Sequence, residues 1–315
     1  MRNEFEFINS IKSRHNLSKA GDDCAVLPKD DKTDLLITSD MLVENVDFRL
    51  WWSTPKQIGH KALAVSLSDI AAMGGTPTYA MLSIALVENL WKGDFLDQFY
   101  AGWHELAGKF GVELIGGDVS RTEGPLTIDS TVLGEVPRGE AILRSGAKAG
   151  DGIFVTGTLG GAAGGLKLLL DGAQIDSVEA KTLVQKQLQP LPQLDTSNLL
   201  QTRSLATSSI DLSDGLSSDL SHICQASGVG AEIDVEVLPI ESALTSFFSP
   251  DECLNMGLNG GEDFELLFTG DAKKISEANL PHVTRIGTVT ANAGIIELIS
   301  ADRRTQIEPR GYRHF

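Results

Sequence analysis

Five short acidic segments punctuate this chain where apolar runs give way to turns or to helices of small residues. They read G-D-D-C-A-V-L (21–27), T-S-D-M-L (38–42), S-L-S-D-I-A-A-M-G-G (66–75), I-G-G-D-V-S-R-T (115–122) and I-D-L-S-D-G (210–215). Each sets Asp beside Gly or Ser, among residues that otherwise pack into a core. Burying carboxylates there is costly unless positive charge neutralises them. A hard divalent cation, Mg²⁺ above all, suits a cluster of oxygen ligands. Mg²⁺ held by one or two carboxylates from each element keeps waters and shares phosphate oxygens. The chain is therefore expected to fold so that distant segments meet around one metal–nucleotide site.

At 315 residues the chain is long enough for two domains. Its net charge of −17 argues against a nucleic-acid partner, which would need a Lys/Arg stripe. A solvated acidic surface explains most Asp and Glu, but not those set among Gly, Ala, Ser and Ile. Cys24, Cys224 and Cys253 form neither a C-x-x-C pair nor a metal-finger spacing, which fits thiols in a reducing compartment. The N-terminal segment has no apolar signal core and no apolar run is long enough for a membrane span, so a cytoplasmic location is expected.

Apolar periodicity predicts a strand at Leu35–Thr38, a helix over 56–73 ending at Gly74-Gly75, and a strand at Tyr79–Leu86. A helix near Gly93–Phe110 follows, then a short strand, Val112–Ile115, running into Gly116-Gly117-Asp118, and a strand over Leu126–Val136. The turn-rich S-G-A-K-A-G-D (145–151) marks a domain boundary, giving domains 1–146 and 147–315. Beyond it come a strand at Ile153–Thr156, a Gly/Ala helix over 161–171, a polar, Pro-containing stretch (186–193) and a helix from about 215 to 227. Strands near 231–237, 264–269 and 283–289 complete an α/β (α+β) reading.

Asp69 falls on a helix of Ala, Val, Leu and Met, so a metal or phosphate contact competes with a simple salt bridge, for which Lys61 lies on roughly the same face. Asp118 follows two glycines at a strand end, where backbone N–H groups can approach an anion; a tight turn is the alternative. Asp23 and Asp40 are equally compatible with turn chemistry. Asp211, Ser213, Asp214 and Gly215 read as a capped helix N-terminus, itself an anion site. N-G-G-E-D-F-E-L-L-F (259–268) puts Glu262 and Asp263 before a strand, as a hairpin turn also would.

V-T-G-T-L-G-G-A-A-G-G-L (155–166) follows a strand and opens a helix, but its spacing is not G-x-G-x-x-G and no acidic partner follows at a strand end. A helix packing closely through Gly and Ala is expected instead. The sequence carries no G-x-x-x-x-G-K-[ST], no protein-kinase signature, no G-x-S-x-G and no H-E-x-x-H.

In order, G-D-D-C-A-V-L, T-S-D-M-L-V, K-A-L-A-V-S-L-S-D-I-A-A-M-G, I-G-G-D-V-S-R-T, R-S-G-A-K-A-G-D, I-D-L-S-D-G-L-S-S-D-L, N-G-G-E-D-F-E-L and G-Y-R-H-F resemble the thiamine-monophosphate kinase family, within the aminoimidazole-ribonucleotide synthetase and selenophosphate synthetase superfamily. The resemblance spans residues 21–315. It implies a two-domain aminoimidazole-ribonucleotide synthetase-like fold: an N-terminal mixed or antiparallel sheet with helices, beside a C-terminal α/β domain. A homodimer through the N-terminal domains is implied as well. By the same resemblance Asp23, Thr38, Ser39, Asp40, Asp69, Asp118, Asp211 and Asp214 are expected to hold Mg²⁺. Gly117, Asp118, Arg144 and Ser213 are expected to contact ATP, with Asp69, Asp118 and Arg144 central to catalysis. Asp47, Glu262 and Tyr312 match positions that contact the thiamine portion of the substrate; relatives often carry His where this chain has Asp47.

The implied reaction moves the γ-phosphoryl of ATP onto thiamine monophosphate, giving thiamine diphosphate and ADP. Two rivals stay open: another ATP-dependent superfamily member, such as aminoimidazole-ribonucleotide synthetase, and a non-catalytic Mg²⁺-nucleotide sensor. Selenophosphate synthetase needs a reactive N-terminal Cys near a Lys, whereas Cys24 sits inside the acidic motif. The carbamoyl-dehydrating member ends in Cys, where this chain ends in Phe315.

Overall fold

The computed structural model describes residues 4–17, 19–301 and 303–312; the last three residues of G-Y-R-H-F lie outside them. The first half contains helix α1 (Glu4–His15), strands β1 (Ala25–Pro28) and β2 (Thr33–Val43), α2 (Pro55–Ala72), β3 (Thr76–Leu86), α3 (Glu88–Lys92), α4 (Phe95–Phe110), β4 (Glu113–Arg121) and β5 (Thr127–Pro137). The second contains β6 (Gly152–Thr156), α5 (Gly161–Leu170), α6 (Val178–Leu188), α7 (Leu194–Thr202), β7 (Ser208–Asp211), α8 (Leu216–Ser227), β8 (Gly230–Asp234), α9 (Pro250–Asn259), β9 (Leu266–Gly270), α10 (Ala272–Ala278), β10 (Val283–Thr290), β11 (Ile296–Ser300) and β12 (Arg303–Ile307).

Two sheets organise these elements. The first runs β1-β2-β5-β3-β4, antiparallel except for the parallel β3–β4 edge. The second runs β12-β11-β8-β10-β6-β9-β7, antiparallel except for β11–β8. This is the two-domain α/β architecture expected from the sequence.

Helix α2 is the axis of the first domain. Thr54 and Gln57 form a capping box, and Pro55 takes the first turn, where a missing N–H costs nothing. Its residues are buried on nearly every side, as a helix apolar all round requires. One side faces the sheet and another faces α4, where Gly59 and Gly102 let the helices touch. A Cβ on Gly59 would lie 1.9 Å from Phe99 O, and one on Gly102 the same distance from Lys56 O. Trp103 and Phe99 of α4 complete this core without exposure.

Among the described residues the sheet face away from α2 is bare. Met41, Tyr79, Met81 and Ile115 expose 41–59% of their surface on this half of the molecule. The alternating burial of β2, β3 and β5 shows that this face is regular strand rather than loop.

Several local expectations change. The strand expected to stop at Ile115 continues to Arg121, so Gly116-Gly117 is not a turn. A Cβ on Gly117 would lie 1.8 Å from Leu82 O, so the glycine permits strand pairing instead of ending it. The helix expected near Gly93–Phe110 forms as α4, and a separate short helix, α3, precedes it and ends at Gly93. The end of α6 takes up the start of the polar, Pro-containing stretch 186–193, and the strand expected near 231–237 gives way to a 3₁₀ turn at Val235.

Candidate active site

Three of the five acidic segments deliver their carboxylates to one point. Oxygens of Asp23, Asp69 and Asp211 all lie within 4.8 Å of one another. Asp23 follows Gly21 just ahead of β1, Asp69 sits in the last turn of α2, and Asp211 ends β7 in the second domain. The site therefore straddles both sheets.

Helix α2 holds the acids with the polar side chains of S-L-S-D (66–69). The Ser66 hydroxyl is 2.7 Å from Asp40 Oδ2, Ser68 donates to Asp211 Oδ2 at 2.7 Å, and Asp69 Oδ2 accepts from Thr38. Ser66 and Ser68 were passed over in the sequence; their place beside Asp69 in a run of Ala and Leu was the signal. Arg144 donates to Asp23 Oδ1 through Nη2 and Nε, and its backbone N–H reaches Asp22 Oδ1 at 2.8 Å.

One guanidinium does not balance so many acids. Desolvation, then the neighbouring carboxylates, push Asp69 well above the usual carboxylate range. Burial first, with Asp23 next, raises Asp211 to about 8, and burial raises Asp40 to about 6. Asp23 is raised as well, chiefly by burial, and Asp23 Oδ2 is buried without a hydrogen-bond partner. Unmet negative charge, an orphaned oxygen and donors that are all hard oxygens fit a divalent cation of the Mg²⁺ type.

A cavity of about 400 Å³ opens beside this cluster. Asp40, Ser213 and Asp214 line it together with Asp47, Glu262 and Tyr312, so the three residues expected at the substrate do meet. Tyr312 is carried there by the C-terminal segment, whose backbone bonds to Asp214 O and to Ser217 on α8. Asp23, Thr38 and Ser39 line a second opening of about 600 Å³ with Lys19 and Asp22.

Gly117 and Asp118 stand apart. Asp118 pairs in register with Ser83 on edge strand β4 and is exposed on the bare face, away from Asp69. The side chain of Ser39 turns to that face too, bonding Asp129 and Thr131. Within the chain these residues do not join the buried cluster.

Two further readings change. Asp211 through Gly215 is not a side-chain-capped helix start: Asp211 is strand, and the N-cap of α8 is Gly215. The carboxylate of Asp219, four residues on, takes the N–H groups of Asp214 and Gly215 instead. Asp219, Asp214 and His222 form a second close group, unforeseen in the sequence. Lys61 does not pair with Asp69; its Nζ is 2.6 Å from Glu262 Oε1.

The Gly-rich run 155–166 cannot hold a dinucleotide phosphate. Asp263 already accepts from Gly160 N at 2.6 Å and Ala162 N at 3.1 Å, so the protein's own carboxylate fills the N-terminus of α5.

Comparison with known proteins identifies related sequences and folds. Residues 21–136 match the AIR synthase related protein N-terminal domain, and residues 148–299 match the corresponding C-terminal domain. The thiamine-monophosphate kinase of Escherichia coli K12 is 40% identical over 304 residues, covering 94% of this chain and 91% of that protein. That of Bacillus subtilis 168 is 38% identical over 327 residues, with 99% of each chain covered. The chain belongs to the thiamine-monophosphate kinase family. A solved structure, AaThiL complexed with AMPPCP and TMP, superposes with a TM-score of 0.89 at 34% identity, over 99% of this chain and 97% of that one.

Proposed function

We propose that this chain transfers the γ-phosphoryl group of ATP directly to thiamine monophosphate, forming thiamine diphosphate and ADP in thiamine biosynthesis. The observation that carries the reading is the convergence of Asp23, Asp69 and Asp211 beside a cavity lined by Asp47, Glu262 and Tyr312. Kinases that share its length and fold are named for this substrate.

The chemistry suits the residues. The acceptor is a phosphate monoester with a second pKa of about 6, so its oxygen is largely ionised at neutral pH and needs no general base. Asp23, Asp40, Asp69, Asp211 and Asp214, with Thr38, would hold Mg²⁺. Bound there, the metal supplies neutralisation of the phosphate charge and alignment of the two polyanions. Arg144 adds a fixed positive charge for ATP phosphates, and Ser213 a hydroxyl at the cavity wall. Asp47 and Glu262 offer negative charge to the cationic thiazolium ring.

The bare sheet face supports a homodimer through the first domain, which would bring Gly117, Asp118 and Ser39 into an interface. On this reading Asp118 contributes to ATP or metal binding only once that face is covered. We place the domain division at 146/147, between the two sheets. Among the described residues no helix is long and apolar enough to cross a membrane, and Cys24, Cys224 and Cys253 are buried and unpaired, which supports a cytoplasmic setting.

A coupled assay tests the reading: ATP and Mg²⁺ with thiamine, thiamine monophosphate or an aminoimidazole ribonucleotide precursor, reading ADP. Release with the monophosphate alone is expected. Release with the precursor, or without any acceptor, would overturn it.

A further inference from the structure

Lys61 is a cation sealed inside the protein: only 2% of its surface is exposed, midway along α2. A buried ammonium persists only where charge and hydrogen bonds meet it. Its Nζ lies 2.6 Å from Glu262 Oε1 and 3.2 Å from the backbone oxygen of Asp47. Both partners line the 400 Å³ cavity, whereas Lys61 itself does not.

Glu262 needs this support. Its backbone stands at φ 66°, a left-handed conformation that non-glycine residues adopt only when their surroundings fix it. Its N–H donates to Ser213 O at 2.8 Å, and its second carboxylate oxygen accepts from Gln187 Nε2 on α6. Asp47 is fixed from the other side, its Oδ2 accepting from Val43 N at 2.7 Å. One ammonium of the first domain thus joins a first-domain loop to a second-domain loop where they form the cavity wall.

We propose that Lys61 is a positioning residue that sets the thiamine end of the cavity through Glu262 and the Asp47 loop, with Gln187 as a second tether of Glu262. The proposal rests on the kinase reading above. Lys61 is eight residues, about two helical turns, before Asp69, so it is set back along α2 from the carboxylate cluster.

Steady-state kinetics of wild type, Lys61→Met, Lys61→Arg and Gln187→Leu test the assignment. Lys61→Met is expected to raise KM for thiamine monophosphate at least ~10-fold, leaving KM for ATP and kcat within about threefold. Lys61→Arg restores most of the loss. Gln187→Leu, which removes no charge, shifts the same KM in the same direction and serves if Lys61→Met does not fold. Unchanged KM for the monophosphate in the folded variants, or an equal rise for ATP, would overturn the assignment. A wild type that turns over ATP only with another acceptor would instead sink the kinase reading on which it rests.

Discussion

Ser68 of α2 donates its hydroxyl to Asp211 Oδ2 at 2.7 Å, joining the first domain's central helix to the last residue of a second-domain strand. The bond aims one oxygen of Asp211 at the hydroxyl. It also fixes how far the second domain's carboxylate stands from Asp69, one residue along the same helix.

Removing such a bond would loosen a proposed metal ligand without deleting it. Ser68→Ala should weaken Mg²⁺ binding by ~10–100-fold, the usual effect of losing a group that orients a ligand. Calorimetric titration of Mg²⁺ into wild type and variant measures this, and equal affinities would show that Asp211 needs no such support.

The raised carboxylates give a pH dependence with a definite sign. Asp40 at about 6 and Asp211 at about 8 hold protons in the folded chain that the unfolded chain has released near pH 4. Without a divalent cation, stability should therefore fall as pH rises from about 4 to 8. A metal needs the deprotonated acids, so its stabilising effect should grow over the same window. Calorimetry in EDTA and in excess Mg²⁺ should show Tm curves diverging by on the order of 5 °C between pH 5.5 and 8. Parallel curves would contradict it.

Gly59 permits the contact of α2 and α4. Gly59→Ala places a methyl 1.9 Å from Phe99 O, where only backbone can give way. A loss of ~3 kcal/mol or more, at the upper end for overpacking, is expected from denaturant unfolding. Loss below ~1 kcal/mol would mean that the helices can slide apart freely.

The bare face gives a prediction about assembly. Wild type should sediment at about twice the 33.7 kDa chain mass, and Met81→Lys should produce monomers. If Asp118 acts through that interface, turnover should fall with dimer content. Full activity in a monomeric variant would remove Asp118 from the site.

Much of this site could be read in the sequence because its chemistry is local. Apolar spacing marks α2, Gly74 and Gly75 close it, and Asp69 stands out among its small apolar residues. The rest depended on packing. Whether Asp118 faces α2 or solvent is set by β4 register, and glycines that looked like a turn served strand pairing instead. Lys61 and Glu262 are 201 positions apart, and no periodicity links them. Helix α9 carries its own start signal, the Ser249–Glu252 capping box around Pro250.

The rate of ADP release by Asp69→Asn, measured across Mg²⁺ concentrations with ATP and thiamine monophosphate, is the most direct test of the buried acids as the phosphate-handling centre. The substitution keeps the shape of the side chain and removes its charge. A fall in kcat of at least ~100-fold that added Mg²⁺ does not restore is the expected result. Turnover within a few-fold of wild type would contradict it.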